Sequence, residues 1–402
     1  MPVLAALALT AIAAVAAFAA AAEPLTLTLA QALERAARQS AELTAVRLGV
    51  PVAEAGVQSA GALPNPLVAF SVGPDEPAQW GSVEQRFPIF GQRSSAMNAA
   101  SAEVAVRRAE LSARSVALRA TVRRAYFSLA AAEAQVVVAA DSARLASELA
   151  AQVQKKLDAG AAPRLEAEQA ALVERRSRQD VLDREAEAAA TRLELATVLG
   201  DPPDAALAAA DPLTPLPAAP PLGELVAQAA RHPDVEAARR EREAALARAD
   251  AARASTRPVP DVTLEAEHLA GATPLGVRGT LGLEVPLLSQ NGGAIRGAEA
   301  EASVAEARAG AAARRLDGAV RAARARWDAA ARRSKFLDED AVPAARHVEE
   351  LARLAYDLGR APLFAVLQAQ GDVAAARVKA IDAASEAQRA FADLEEAAGV
   401  GL

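Results

Sequence analysis

Two stretches of the chain follow one plan, and that duplication constrains the fold more than any other feature. Leu29–Ser40 (LAQALERAARQS) resembles Leu222–Pro233 (LGELVAQAARHP), with Ala36-Ala37-Arg38 falling on Ala229-Ala230-Arg231 at an offset of 193 residues. Each copy runs on as helix to a proline pair, Pro64 and Pro66 or Pro258 and Pro260, at an offset of 194. Proline lacks an amide donor and pushes its predecessor into extended geometry, so the helices must stop there. Strand-like segments follow and end on Phe87-Pro88-Ile89-Phe90 or Val285-Pro286-Leu287-Leu288, at an offset of 198. A long helical run then leads to Leu157-Asp158-Ala159-Gly160-Ala161-Ala162-Pro163 or Tyr356-Asp357-Leu358-Gly359-Arg360-Ala361-Pro362, where the Gly and Pro share an offset of 199 with Gln169 and Gln368. Landmarks kept in one order define two structural repeats, 23–200 and 222–402, joined by a connector over 201–221 rich in Pro, Ala and Asp.

The helical runs from about Gln92 to Leu157 and from about Ala294 to Tyr356 would each reach roughly 90–100 Å at 1.5 Å per residue. In the second, Ile295, Ala298, Ala302, Ala305, Ala309, Ala312, Leu316, Ala319 and Ala323 alternate spacings of three and four, the repeat of a left-handed coiled coil. That seam is mostly alanine, so a partner helix can approach closely. Glu299, Glu301, Glu306, Arg314 and Arg315 lie off it, on a face expected to be solvated. The Gly and Pro at 160/163 and 359/362 interrupt helices whose heptads resume at once. Glycine suits a left-handed C-cap and proline the first turn of the next helix, so each pair marks a tight hairpin tip.

The segments between proline landmarks alternate with period two. Asp261, Thr263, Glu265 and Glu267 interleave with Val262, Leu264 and Ala266. Arg278, Thr280, Gly282 and Glu284 interleave with Val277, Gly279, Leu281, Leu283 and Val285. Each run is about nine or ten residues, the length of a tilted strand crossing a bilayer. The first copy is less clean. Val68, Phe70 and Val72 make an apolar row, but Glu84, Gln85 and Arg86 blur the alternation, and Trp80 is placed in an interfacial aromatic girdle. Two hairpins per chain cannot close a barrel, and open edges in lipid leave backbone groups unpaired at several kcal/mol each. Three chains would supply twelve antiparallel strands around a polar lumen, continued by a helical tunnel.

Residues 1–22 carry no charged side chain and end in Ala20-Ala21-Ala22, which reads as a secretory signal peptide, the alternative being a retained apolar membrane anchor. Every later long segment is broken by Arg, Glu or Asp, so a helical membrane span is not expected there. The chain has no cysteine, which excludes disulfides, thiolate metal sites, a thiol nucleophile and a lipobox cysteine. A net charge of -7 with no basic block excludes a nucleic-acid partner. His232, His268 and His347 stand far apart with no ligand partner at helical spacing, so no metal is expected on them. No nucleophile elbow, phosphate-cradling loop or HExxH helix occurs, and neither an enzyme activity nor a cofactor is expected.

Together these features resemble the TolC-like outer-membrane efflux proteins, from about Leu25 to Ala398. The carrying residues are the twin helix starts, Pro64-Asn65-Pro66, the RFPIFGQR and EVPLLSQNGG strand exits and the two Gly tips. The first exit, Phe87–Arg93, is most similar to the heavy-metal efflux branch. The resemblance implies a mostly α chain of long antiparallel coiled-coil helices with two β-hairpins. It implies a homotrimer with a twelve-stranded barrel in the outer membrane, a periplasmic α-barrel, and docking on a periplasmic adaptor and an inner-membrane transporter. It makes Gly160, Pro163, Gly359 and Pro362 adaptor-docking tips. Tyr356 and Glu166 match a latch at the tunnel mouth. The aspartate rings that narrow the mouth elsewhere in the family fall on Ala365 and Gln368, and the latch arginine falls on Ala361 with Arg360 beside it. The duct would be passive, carrying metal cations or small-molecule drugs. The competing class, a periplasmic coiled-coil adaptor or scaffold, would have one hairpin flanked by lipoyl-like β halves; a soluble coiled-coil protein would lack the strands.

Overall fold

The structure, a computed structural model, describes residues 25–73, 77, 79–268, 275–286 and 290–401. The expected signal peptide and Leu287-Leu288 at the second strand exit lie outside them. The first half runs β1 (Leu25–Leu27), α1 (Leu29–Gln39), α2 (Ala41–Gly61), β2 (Leu67–Val72), β3 (Gln79–Arg86), α3 (Gln92–Asp158) and α4 (Arg164–Leu199). After β4 (Leu207–Ala209) the second half repeats that order with α5 (Leu222–Ala229), α6 (Pro233–Ala254), β5 (Val259–His268), β6 (Gly276–Glu284), α7 (Gly292–Phe336), a π-helical turn (Leu337–Ala341), α8 (Val342–Asp357) and α9 (Leu363–Ala398). Residues divide into two compact units, each taking segments from both halves: Met1–Ser40, Leu118–Ala219 and Ala323–Glu395 in one, Ala41–Ala117, Pro220–Ala322 and Glu396–Leu402 in the other.

Helix boundaries follow local chemistry. Thr28 caps α1 by accepting from the Gln31 N–H while the Gln31 side chain accepts from the Thr28 N–H, a reciprocal pair that satisfies two otherwise orphaned donors. The helix after each opening motif is not continuous, as the sequence suggested. It breaks at Ser40 in the first copy, and in the second at residues 230–232, where His232 caps α6. Its Nδ1 accepts from the Asp234 N–H at 3.0 Å and its Nε2 donates to the Glu396 carbonyl at 2.7 Å. His232 is therefore a buried structural residue. Helices α2 and α6 then end before the proline pairs, at Gly61 and Ala254.

Helix α3 is continuous over 67 residues, about 100 Å at the ordinary rise. The second rod is not, and here the expectation of one uninterrupted helix is corrected. Pro343 would clash with the carbonyl four residues back and offers it no donor. The chain answers with the π-turn over Leu337–Ala341, where one added residue shifts the hydrogen-bond ladder. The alanine seam of α7 is as read from the sequence: Ala302, Ala305, Leu316 and Ala323 are buried, and Ala302 and Ala305 pack on Ala245 of α6. The charges off that seam are exposed, with Glu299 2.7 Å from Arg253 and Glu306 3.5 Å from Arg242.

The connector does more than link the halves. Its β4 pairs in parallel with β1, Leu25 opposite Leu207. Tyr126 of α3, fully buried, fixes both: its hydroxyl lies 2.8 Å from the Leu27 carbonyl and accepts from the Ala210 and Asp211 N–H groups at 3.1 and 2.9 Å. Asp211 in turn accepts from the Leu29 N–H at 2.6 Å. Burial holds the phenol up at about 12. Around it Val122, Leu129, Leu195, Leu199 and Leu207 close the core of that unit.

Candidate functional site

Strands β2, β3, β5 and β6 form one antiparallel sheet in that order, so the two hairpins join through β3 and β5. Register sorts its side chains. Val68, Phe70 and Val72 share a face with Gly81 and Val83, with Val262, Leu264 and Ala266, and with Val277, Gly279, Leu281 and Leu283. Apart from Gln79, Gln85 and His268 at its ends, this face is apolar and bare; Phe70 is 74% and Leu281 78% exposed. Water does not favour such a patch on a soluble monomer, whereas hydrocarbon does. The opposite face carries Ser82, Glu84 and Arg86, then Asp261, Thr263, Glu265 and Glu267, then Arg278, Thr280 and Glu284. Arg86 pairs with Glu284, and Arg278 lies 4.0 and 3.9 Å from Glu265 and Glu267.

Register also resolves the blurred first copy. Glu84 and Arg86 belong to the charged face, while Gln79 and Gln85 stand at the two ends of the apolar row in β3. Gln85 Nε2 donates to the Pro64 and Arg86 carbonyls. Trp80 is not on the apolar face: it stands opposite Glu267 and Ser71, so the expected aromatic-girdle placement is corrected. The outer strands β2 and β6 each have one partner within the chain, leaving two open edges. Among the described residues no helix is long and apolar enough to cross a membrane.

The hairpin tips share the same closing bonds, to which the second adds Ala361 N–H to the Ala355 carbonyl. Gly160 and Gly359 have φ of +70° and +69°, the left-handed region where a side chain is strained. Gly160 N–H donates to the Leu157 carbonyl and Ala161 N–H to that of Lys156; Gly359 donates to Tyr356 and Arg360 to Ala355. These are Schellman-type closures. Pro163 and Pro362 then open α4 and α9, accepting from the Glu166 and Ala365 N–H groups at 3.1 and 3.0 Å. Both tips sit on one cluster of Leu149, Val153, Ala167, Ala170, Leu363 and Val366, against which Ala162, Leu157 and Tyr356 pack. Leu165 and Phe364, two residues past each proline, are 67% and 62% exposed. The sequence reading passed over them, although the shared offset of 199 pairs them as it pairs the glycines.

Among the residues of the expected mouth, Tyr356 is half-buried with the Lys156 ammonium 4.3 Å from its ring centroid, a cation–π contact. Glu166 is half-buried in the first turn of α4, Arg360 and Gln368 are exposed, and Ala365 is half-buried. All five lie within one compact unit with the tips.

An open-edged sheet with a bare apolar face and a charged reverse, joined to duplicated helical hairpins, defines a class: one subunit of a membrane β-barrel completed by further copies. The family model described as "Outer membrane efflux protein" matches residues 32–201 and 225–400, and the chain belongs to that family. It is thus an outer-membrane efflux channel with a periplasmic extension, it assembles as a trimer, and it is not an enzyme. No curated protein matches it. The fold is shared with a membrane protein from Pseudomonas aeruginosa (21% identity, TM-score 0.78, covering 92% of this chain and 93% of that one). It is shared likewise with VceC, an outer-membrane protein of Vibrio cholerae (20%, TM-score 0.76, 93% and 96%), and with the open MtrE channel of Neisseria gonorrhoeae (20%, TM-score 0.75, 93% and 89%).

Proposed function

We propose that the chain is the passive exit duct of a tripartite pump, carrying metal cations or small-molecule drugs handed over by an inner-membrane transporter through a periplasmic adaptor. The observation that carries this reading is the pair of matching tips. Two glycine-closed turns with open space around Gly160 and Gly359 stand on one helical cluster, and each is followed by an exposed apolar side chain. Helical hairpins of an adaptor can seat on such turns because no Cβ blocks backbone approach and Leu165 and Phe364 offer apolar anchors. Pro163 and Pro362 hold the turns in shape. Tyr356, Glu166 and Arg360 serve as the latch of the resting mouth, and Ala365 and Gln368 leave its narrowest ring without charge, so cargo is selected by the transporter. Residues 1–22 direct export, and the repeats 23–200 and 222–402 each supply a hairpin of barrel and a hairpin of tunnel.

The test replaces the exposed Leu165 and Phe364 of the two tips together by Glu, which leaves the glycine turns unstrained, in a strain lacking its own channel. The expected result is a normal amount of heat-sensitive trimer in the outer membrane with loss of adaptor co-purification and of resistance. Full resistance with the adaptor still bound would remove the tips from docking.

A further inference from the structure

Helices α3 and α4 each turn one side to β1 and the connector. On α3, the Tyr126 hydroxyl meets the Leu27 carbonyl and the Asp211 N–H, and the Glu133 carboxylate accepts from the Ala209 N–H at 3.1 Å. On α4, Arg192 Nε donates to the Leu207 carbonyl at 2.7 Å. At about 100° per residue, Gln135 lies about 180° around α3 from Tyr126, and Ser128 and Ala131 fall within about 40° of it. On α4, Asp183 and Glu187 stand about 180° and 140° from Arg192 by the same measure. Both helices therefore have a second side, turned away from the connector. A groove of about 530 Å³ opens there, floored by α3 and walled by α4 and α9.

The charges of the groove divide into those already engaged and those left over. Gln135, buried in the floor, donates from Nε2 to Asp382 of α9 at 2.6 Å and accepts from Arg184 of α4 at 2.5 Å. Arg184 also lies 3.5 Å from Asp180. One amide thus ties both walls to the floor and occupies Arg184 and Asp382. Asp183 and Glu187 on the α4 wall and Arg389 on the α9 wall are exposed, and the side chain of none has a hydrogen-bond or ion-pair partner among the described residues. Ala131 and Ala132 add no bulk to the floor, so the space above it stays open.

Two free carboxylates therefore face the groove from one wall and a free guanidinium from the other. A bare metal ion is poorly served, since among the described residues no His, Cys, Asp or Glu are grouped closely enough to hold one. A small solute bearing both an ammonium and a carboxylate suits both walls, the ammonium toward Asp183 and Glu187, the carboxylate on the planar fork of Arg389. The volume falls within the roughly 300–1,000 Å³ of small-molecule sites.

In a tunnel walled by a single layer of helices, one side faces the passage and the other the periplasm. The connector with β1 and α1 would obstruct a passage, so it takes the outer side and leaves the groove on the inner one. We infer that this groove is a transient binding site for zwitterionic solutes on the inner wall of the duct, repeated in each subunit. The inference rests on the duct reading above and adds a cargo class and the residues that meet it. Exposed charges hold such a solute weakly, as a conduit requires: it must enter readily and leave as readily.

Purified trimer in a planar bilayer tests this with three matched probes: phenylalanyl-alanine, a zwitterion; its N-acetyl derivative, an anion; and its amide, a cation. The zwitterion should reduce single-channel current at about tenfold lower concentration than either of the others. Asp183→Asn with Glu187→Gln, and separately Arg389→Gln, should each raise its half-blocking concentration about tenfold while the amount of heat-sensitive trimer stays parental. Glu185→Gln, about 20° from Arg192 on the connector side of α4, should leave the block unchanged. The chain has no cysteine, so Asp183→Cys can be labelled singly, and a charged thiosulfonate reagent should then change the conductance in steps. Complete labelling with conductance unchanged, or equal block by all three probes, would overturn the groove as a cargo site. Block by the amide alone would overturn the zwitterion match. A parent that forms no channel would overturn the duct reading beneath it.

Discussion

Arginine placed at neighbouring positions of β6 separates the two faces of the sheet. Leu281 stands opposite Val262 near mid-strand on the bare apolar face, and Thr280 stands opposite Thr263 on the charged face. In a barrel, Leu281→Arg puts a guanidinium against hydrocarbon in each subunit, at about 2–4 kcal/mol near the bilayer midplane. Three copies bring this to about 6–12 kcal/mol for the trimer, comparable with the whole stability of an ordinary folded domain. Thr280→Arg adds a cation to a face where carboxylates outnumber arginines, and its cost is about 0–1 kcal/mol. The assay compares unheated and boiled outer-membrane extracts by gel, where trimer and monomer separate. Leu281→Arg should leave little trimer and Thr280→Arg should leave the parental amount. Equal trimer from both, or greater loss from Thr280→Arg, would mean that the apolar face does not meet lipid.

Two further outcomes follow from single residues. Tyr126→Phe strips one hydroxyl from the Leu27 carbonyl and the Ala210 and Asp211 N–H groups and should cost about 1–3 kcal/mol, read as a lower unfolding temperature in detergent. The parent should also lose stability relative to that variant between pH 10 and about 12: the folded phenol titrates near 12 and the unfolded one near 10, so in this window the unfolded chain has released the proton and the folded chain has not. A parallel pH response in both proteins would refute the buried-phenol account. Gly359→Ala forces a side chain into φ of +69° and should destabilise by about 1–2 kcal/mol, while Gly371→Ala, inside α9 with open space around it, should be neutral or stabilising by thermal melt.

Much of this was legible because the relevant physics is periodic. The heptad of α7 needs only the positions of Ala, Ile and Leu, and β5 and β6 alternate cleanly because Thr and charged residues take one face. What escaped was set by partners distant in sequence. Trp80 belongs with an aromatic girdle by composition alone, and only its register with Glu267 places it on the charged face. Tyr126 gave no signal, since Leu27 and Asp211, which hold it, lie outside its helix. The π-turn did leave a mark: Pro343 stands inside a heptad run, and a proline there requires a local answer.

The duplication also bears on how the sheet closes. Inside the chain, β3 and β5 pair over eight residues, from Gln79 opposite His268 to Arg86 opposite Asp261. Between chains the joint must use β2, which is six residues long, against a β6 of nine. Because the order β2-β3-β5-β6 is antiparallel throughout, β2 and β6 run in opposite directions and can pair as β3 and β5 do.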